Sequence, residues 1–159
     1  MARVIPAVIS TTLGTGMSRV RKTIAAFTDT AGNGAVGTVN LFTVTGTVYI
    51  DRFVAYCTTT LAGVGGVTCG STTDVDAFGS IITASTWAID EFWSAGNVVK
   101  GSINMARPTS GGANAGFAID KCQSENIILG ITGSAVTSGA AVFDVWYTPI
   151  SDDATIVAA

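Results

Sequence analysis

The sequence predicts an all-β protein, an antiparallel β-sandwich or barrel (jelly-roll-like) with about eight strands and an extended N-terminal arm. Short runs of β-branched and aromatic residues recur along the chain, and glycine-rich segments separate them. Charged residues make up only 12% of the 159 residues, while 48% are hydrophobic. A chain of this length fits one domain and buries about 70% of its unfolded surface. We therefore expect an arm with the first strands in residues 1–27 and a single β domain in residues 28–159.

The expected strands follow from the spacing of these runs between turn residues. Pro6 restricts the first run to a sheet edge or an arm, because proline lacks the N–H that a central strand donates. Residues 61–80 contain only short β-prone segments, and residues 151–159 are expected to form a tail. In the last strand, alternation places Asp144 and Trp146 on one face. The runs predicted as strands are residues 4–9, 20–27, 39–45, 48–57, 98–105, 115–119, 126–132 and 142–148.

Two interpretations fit the β-rich stretch from residue 39 to residue 57. Glycine at the first position of a two-residue loop, Gly46-Thr47, is typical of a type II′ hairpin between two strands. A single long strand bent at Gly46 is the alternative. Strict alternation in residues 48–57 gives two faces, both largely apolar, as in a strand buried on both sides. One face carries Val48, Ile50, Arg52, Val54 and Tyr56, and the other carries Tyr49, Asp51, Phe53, Ala55 and Cys57.

The segment from residue 80 to residue 96 is also ambiguous. Ile89, Phe92 and Trp93 have helical spacing, whereas Trp87, Ile89 and Trp93 alternate as in a strand, which the β-rich neighbours favour. Two tryptophans on one strand face would suit stacking on a sugar or a base, but filling the core is the preferred interpretation. The aromatic residues expected in the core or in an interface are Phe42, Tyr49, Phe53, Trp87, Trp93 and Trp146.

Positive charge is concentrated at the beginning of the chain. Four of the eight basic residues precede the first acidic residue, Asp29, although the whole chain carries a net charge of −3. A basic segment on an acidic body indicates contact with an acidic partner or a neighbouring subunit, and a solvated or locally paired strand edge is the alternative. Nucleic acid is not an expected partner, because the basic cluster is small. The candidate contact residues are Arg3, Arg19, Arg21 and Lys22.

The sequence offers no constellation that predicts an enzyme, a metal site or a cofactor. It has no histidine, which removes the usual base of a serine or cysteine nucleophile and the commonest zinc ligand. Residues 74–79, DVDAFG, fail as a calcium loop because Phe78 and Ser85 stand where oxygen ligands are needed. The three cysteines lack metal or redox spacing and predict free, mostly buried thiols of a protein made in a reducing cytoplasm.

The N-terminus lacks the pattern of a signal peptide, and no apolar run approaches the ~20 residues that a membrane-spanning helix needs. Such sparse charge in a chain that does not enter a membrane favours an assembly interface. A monomer with a large core and a Thr/Ser surface is the alternative.

Two stretches carry a family resemblance. Residues 39–60, VNLFTVTGTVYIDRFVAYCTTT, and residues 124–151, SENIILGITGSAVTSGAAVFDVWYTPIS, resemble small virion structural proteins of tailed DNA bacteriophages. The resemblance covers roughly residues 36–60 and 122–151. It implies a β-rich capsid decoration or cementing protein, commonly a homotrimer, with the major capsid protein as its partner. It brings no catalytic residues.

From this resemblance we expect a protein that is made in the host cytoplasm and sits on the capsid surface of the virion. The basic residues of the arm are then our candidates for contact with the capsid. The alternatives are a receptor- or glycan-binding module of a phage fibre or tail, with Trp87 or Trp93 exposed, and a structural component of the tail or of the head–tail junction.

Overall fold

The computed structural model describes residues 17–94, 97–100 and 118–159, which form two antiparallel β-sheets around one hydrophobic core. Every strand pairing in the described part of the chain is antiparallel. The strands are β1 (Ser18–Ile24), β2 (Gly37–Thr45), β3 (Val48–Ala62), β4 (Gly66–Ser71), β5 (Gly79–Thr83), β6 (Glu91–Ser94), β7 (Asn97–Lys100), β8 (Ala118–Gln123), β9 (Ile127–Thr132), β10 (Ser138–Pro149) and β11 (Thr155–Ala158).

The strand order is that of a jelly roll. The first sheet has the order β1-β10-β3-β6-β7, with β8 also pairing with β3, and the second sheet has the order β11-β2-β9-β4-β5. The chain crosses from one sheet to the other between β1 and β2, β2 and β3, β3 and β4, β5 and β6, β8 and β9, β9 and β10, and β10 and β11. Such repeated crossing wraps two sheets around one core. The predicted all-β sandwich of jelly-roll type is therefore confirmed, with eleven described strands rather than about eight.

The predicted hairpin at Gly46-Thr47 is wrong, because β2 and β3 lie in different sheets. The chain turns between the sheets at Gly46, whose φ of +67° favours glycine. Ser151 fixes this corner, since its Oγ accepts a hydrogen bond of 2.8 Å from the Thr47 N–H. The alternative interpretation, a bend at Gly46, is closer to the structure.

Two further segments differ from expectation. The predicted tail contains β11, which pairs with Phe42–Thr45 of β2 and places Ile156 in the core. The ambiguous segment is neither one helix nor one strand. It contains β5, a short 3-10 turn at Ala84–Thr86 and then β6. The predicted strand at residues 4–9, most of that at residues 98–105, and Arg3 lie outside the described residues.

A β-bulge in β3 breaks the predicted alternation. Trp146 and Tyr147 of β10 pair with Arg52 and Ile50, so Asp51 is an extra residue without a partner in that register. Val48 and Ile50 before the bulge and Phe53, Ala55 and Cys57 after it all lie in the core. The predicted grouping of Arg52 with Val48 and Ile50 is therefore wrong, because the bulge turns Arg52 to the outer face.

Aromatic side chains from both sheets fill the centre of the core. The Phe53 ring contacts Phe42 of the opposite sheet at 6.5 Å between centroids and stacks on Phe78 at 5.5 Å. Trp87 is fully buried and contacts Trp93 at 5.3 Å, and its indole N–H donates to the Glu91 carbonyl at 2.9 Å. The described residues include no helix that is long and apolar enough to cross a membrane.

Candidate functional site

The outer face of the first sheet brings together basic and aromatic side chains from three neighbouring strands. Arg19 of β1, Trp146 of β10 and Arg52 of β3 are directly paired across the sheet. The next outward-facing positions along these strands pair Arg21, Asp144 and Val54 in the same way. We call this surface the arginine–tryptophan face. It consists of Arg19, Arg21, Arg52, Val54, Tyr56, Phe92, Val142, Asp144 and Trp146.

Asp144 holds two arginines at once. Its side chain accepts hydrogen bonds from Arg19 Nε at 3.1 Å and Nη2 at 2.8 Å. Arg21 donates to the same carboxylate from Nε at 2.9 Å and Nη2 at 2.8 Å. Asp144 is only 3% exposed, whereas about half of each arginine side chain faces solvent. The carboxylate thus fixes the position of two forked donor groups on the strand surface.

Opposing effects act on the pKa of Asp144. Burial raises the pKa, since a carboxylate loses hydration inside the protein. Hydrogen bonds from Arg21 and Arg19 and their positive charges lower it, and they prevail, so the pKa lies below its usual value. The same hydrogen bond raises the pKa of Arg21. The cluster is therefore fully ionised at neutral pH.

Trp146 lies between two guanidinium groups. The Arg19 carbon Cζ is 5.0 Å from the centroid of the Trp146 ring, and that of Arg52 is 5.7 Å away. Both distances fall within the range of cation–π attraction. The Arg52 side chain makes no hydrogen bond or ion pair with any residue in the described ranges. Among the described residues, its guanidinium is held by stacking on Trp146.

An apolar area adjoins the charged part of this face. Val142 is buried although it lies outside the central core, because its strand neighbours cover it. The Tyr56 ring contacts the Phe92 ring at 5.6 Å, and both side chains are partly exposed. Arginine, tryptophan and tyrosine are the residue types that dominate the energetics of protein–protein interfaces.

The structure divides the predicted basic contact residues. Arg19 and Arg21 lie on the arginine–tryptophan face, where Asp144 pairs both, as the locally paired alternative expects. Lys22 points to the other side of β1 and donates a hydrogen bond to the carbonyl oxygen of Ala159. There Lys22 lines a groove of about 530 Å³ between β1 and β2, together with Ala25, Ala26 and residues of β2. The predicted cluster of three adjacent cations is therefore two separate features.

The predicted aromatic residues also divide. Phe42, Phe53, Trp87 and Trp93 are buried in the core. The sugar-binding interpretation that needs Trp87 or Trp93 exposed is wrong, because they are 0% and 5% exposed.

Tyr49 and Trp146 are partly exposed on the outer side of the first sheet. Sequence reasoning did not select Asp144 and Arg52. Alternation in the last long strand already placed Asp144 beside Trp146, whereas only the bulge reveals Arg52.

A second polar cluster joins the loop after β4 to the loop between β8 and β9. The Glu125 carboxylate accepts hydrogen bonds from the Thr72 hydroxyl at 2.8 Å, the Thr73 N–H at 3.1 Å and the Thr73 hydroxyl at 2.9 Å. These bonds lower the pKa of Glu125 to about 2. Every donor comes from the chain itself, and the described residues contain no group of three or more histidine, cysteine or acidic residues that would hold a metal ion.

The cysteines are free, as predicted. Cys57 and Cys69 are buried, and burial raises the pKa of both thiols, whereas Cys122 is exposed. Comparison with protein-family models, with curated proteins and with solved structures gives no match to this chain.

Proposed function

We propose that this chain is a structural protein of a tailed-phage virion that binds the outer surface of the capsid and stabilises the assembled shell. Its partner is the major capsid protein, and it acts as a homotrimer. The observation that carries the proposal is the arginine–tryptophan face, in which hydrogen bonds and ring contacts hold arginine and aromatic side chains in place on the outer side of one sheet. The resemblance of residues 36–60 and 122–151 to virion proteins supplies the identity of the partner.

Stabilisation of a shell requires only differential binding. A protein that binds the assembled shell but not its separated subunits lowers the free energy of the assembled state. Many copies on one lattice add their contributions, and a trimer binds more tightly than a single chain because its sites are linked. A rigid scaffold favours this mode of action, since little conformational entropy is lost on binding.

Trp146 is the expected centre of the interface. Its indole combines a large apolar area with two flanking guanidinium groups, so its truncation removes the surface that orders both arginines. Hot-spot tryptophans of this kind cost about 2 kcal/mol or more when replaced by alanine, which corresponds to a loss of affinity of about 30-fold.

Co-sedimentation with particles of the virus that encodes the chain tests the proposal. Particles lacking the chain are mixed with the purified protein, and bound and free protein are separated on a density gradient. We expect saturable binding, increased resistance of the shell to heat, and weaker binding by the Trp146→Ala variant. Ile81→Ala is the control, because Ile81 is exposed on a strand of the second sheet. Absence of wild-type co-sedimentation contradicts the proposed function.

Light scattering behind a sizing column tests the oligomeric state. A homotrimer gives three times the 16.1 kDa mass of one chain. A protein that is monomeric in free solution but binds the particle in groups of three is compatible with shell binding. A protein that binds the particle as single chains contradicts the trimer.

A further inference from the structure

The charges of the arginine–tryptophan face are unevenly satisfied. Arg19 and Arg21 share one carboxylate, whereas Arg52 has no polar partner in the described part of the chain. The nearest acidic side chain in sequence, Asp51, accepts a hydrogen bond from the Thr148 hydroxyl at 3.2 Å. Within the described residues, a chain with a net charge of −3 therefore presents one guanidinium without a polar partner on this face.

The geometry of Arg52 is preorganised for a planar anion. Stacking on Trp146 restricts the side chain, and the guanidinium donors of a stacked arginine remain available at its edge. The position itself is rigid, because β3 pairs with β10 on one side and with β6 and β8 on the other. A group that is already ordered loses less entropy on binding than a free surface arginine.

We propose that Arg52 anchors a carboxylate of the partner protein, the side chain of an aspartate or glutamate whose neighbours contact Trp146 and the apolar area around Tyr56. A carboxylate accepts two parallel hydrogen bonds from one guanidinium, which fixes both position and orientation. Asp144 already binds Arg19 and Arg21 in this way on the same face. The inference rests on the proposed function for the identity of the partner, but not for its chemistry.

Charge complementarity favours an acidic protein surface over nucleic acid. Binding to a nucleic-acid backbone requires several free cations along a stripe, because each neutralised phosphate contributes separately. Among the described residues, the arginine–tryptophan face offers one guanidinium without a polar partner, and the chain has an isoelectric point near 4.6. A single anchored carboxylate within an aromatic surround matches what the face presents.

The chemistry of the anchor is testable without the virus. Poly-L-glutamate is the carboxylate probe and a short single-stranded DNA is the phosphate probe, and binding is followed by tryptophan fluorescence at low salt. Arg52→Gln removes the charge, and Arg52→Lys keeps the charge but loses the fork. Lys22→Gln is the matched control, because it removes one positive charge on the other side of β1. Thermal unfolding of each variant verifies that the fold is retained.

We expect Arg52→Gln to weaken poly-L-glutamate binding about fivefold or more, Arg52→Lys to weaken it about two- to threefold, and Lys22→Gln to change it less than twofold. Equal losses for Arg52→Gln and Lys22→Gln overturn the anchor, since they indicate diffuse attraction. Failure of the wild type to bind poly-L-glutamate also overturns it. Tighter binding of DNA with the same dependence on Arg52 overturns the carboxylate assignment in favour of phosphate.

The particle experiment separates this inference from the proposed function. Arg52→Gln protein that binds particles as well as the wild type leaves shell binding intact and overturns the anchor. Wild-type protein that fails to bind particles, together with poly-L-glutamate binding that depends on Arg52, overturns shell binding and supports the anchor on a different acidic partner.

Discussion

Replacing Asp144 with asparagine removes the charge on β10 that binds two arginines of β1. The wild-type carboxylate accepts four hydrogen bonds between 2.8 and 3.1 Å, two at each oxygen. Asparagine keeps one acceptor oxygen and replaces the other with an amide NH₂. That group turns its hydrogens towards the donors of Arg19 and Arg21, so both bonds from the Nη2 atoms are lost.

The magnitude follows from the geometry and the exposure. Hydrogen bonds to charged groups contribute about 1.5–3 kcal/mol each, but the half-exposed arginines recover hydration and reduce this to about 1 kcal/mol per lost bond. Repulsion between two unneutralised guanidinium groups adds to the loss. We expect the free energy of unfolding to fall by about 2–3 kcal/mol. For a domain of this size that corresponds to a decrease in Tm of about 5–10 °C.

Urea unfolding followed by circular dichroism measures this change as a shift in the transition midpoint at constant slope. Asp51→Asn is the matched control, because Asp51 lies beside Arg52 and its side chain has one hydrogen bond among the described residues, from Thr148. We expect a loss in the free energy of unfolding under about 0.5 kcal/mol. A double-mutant cycle with Arg21→Met measures the interaction energy between Asp144 and Arg21 separately from the other effects of each substitution. A loss below about 0.5 kcal/mol for Asp144→Asn refutes the reasoning.

The pH dependence of stability tests independently whether the ionised Asp144 carboxylate stabilises the fold. The folded-state pKa of Asp144 lies below its ordinary value of 3.8, so folding favours the ionised carboxylate. Its contribution is fully present above the unfolded pKa and is lost as the pH falls through the lower, folded pKa. The difference in stability between wild type and Asp144→Asn is therefore constant near neutral pH and shrinks below about pH 4. A difference that grows on acidification contradicts the assignment.

Three further outcomes are expected. Trp87→Phe should lower the free energy of unfolding by about 2 kcal/mol in urea titrations, because the smaller ring leaves a cavity and the Glu91 carbonyl loses the indole N–H that it accepts from. A loss under about 0.5 kcal/mol contradicts the placement of Trp87 in the core. Titration with a thiol reagent should detect one reactive thiol in the native protein, Cys122, and three reactive thiols after unfolding. Three reactive thiols in the native protein contradict the burial of Cys57 and Cys69. Glu125→Gln should accelerate hydrogen exchange of the Thr73 amide at neutral pH. The wild type should lose this protection only as the pH falls from about 4.5 to about 2, because the pKa of Glu125 is depressed in the folded state. Equal exchange rates in both proteins argue against the loop contact.

Local patterns were sufficient for the class of fold and for most strands. Residues 126–132 are rich in apolar β-prone side chains and residues 142–148 alternate, and these two runs match β9 and β10 within a few residues. The C-terminal segment was missed because only Ile156 of its four strand residues is buried. Such a short strand is stabilised by its neighbour β2 rather than by its own sequence.

Part of the candidate site was also accessible from the sequence. The basic cluster and Trp146 were selected, and alternation placed Asp144 beside Trp146. The pairing of Asp144 with Arg19 and Arg21 was not accessible, because the residues are separated by 125 and 123 positions along the chain. Only the antiparallel register of β1 against β10 brings them together.

By itself, the sequence determined that this chain forms a two-layer β structure, because alternation and turn residues act over a few neighbouring positions. The tertiary structure decided where β2 leaves its sheet at Gly46 and where the bulge at Asp51 turns Arg52 outward. Both depend on pairing with distant strands, since a bulge exists only relative to the register of its partner. The orientation of Arg52, on which the proposed anchor depends, is therefore a property of the folded sheet and not of the residues around it.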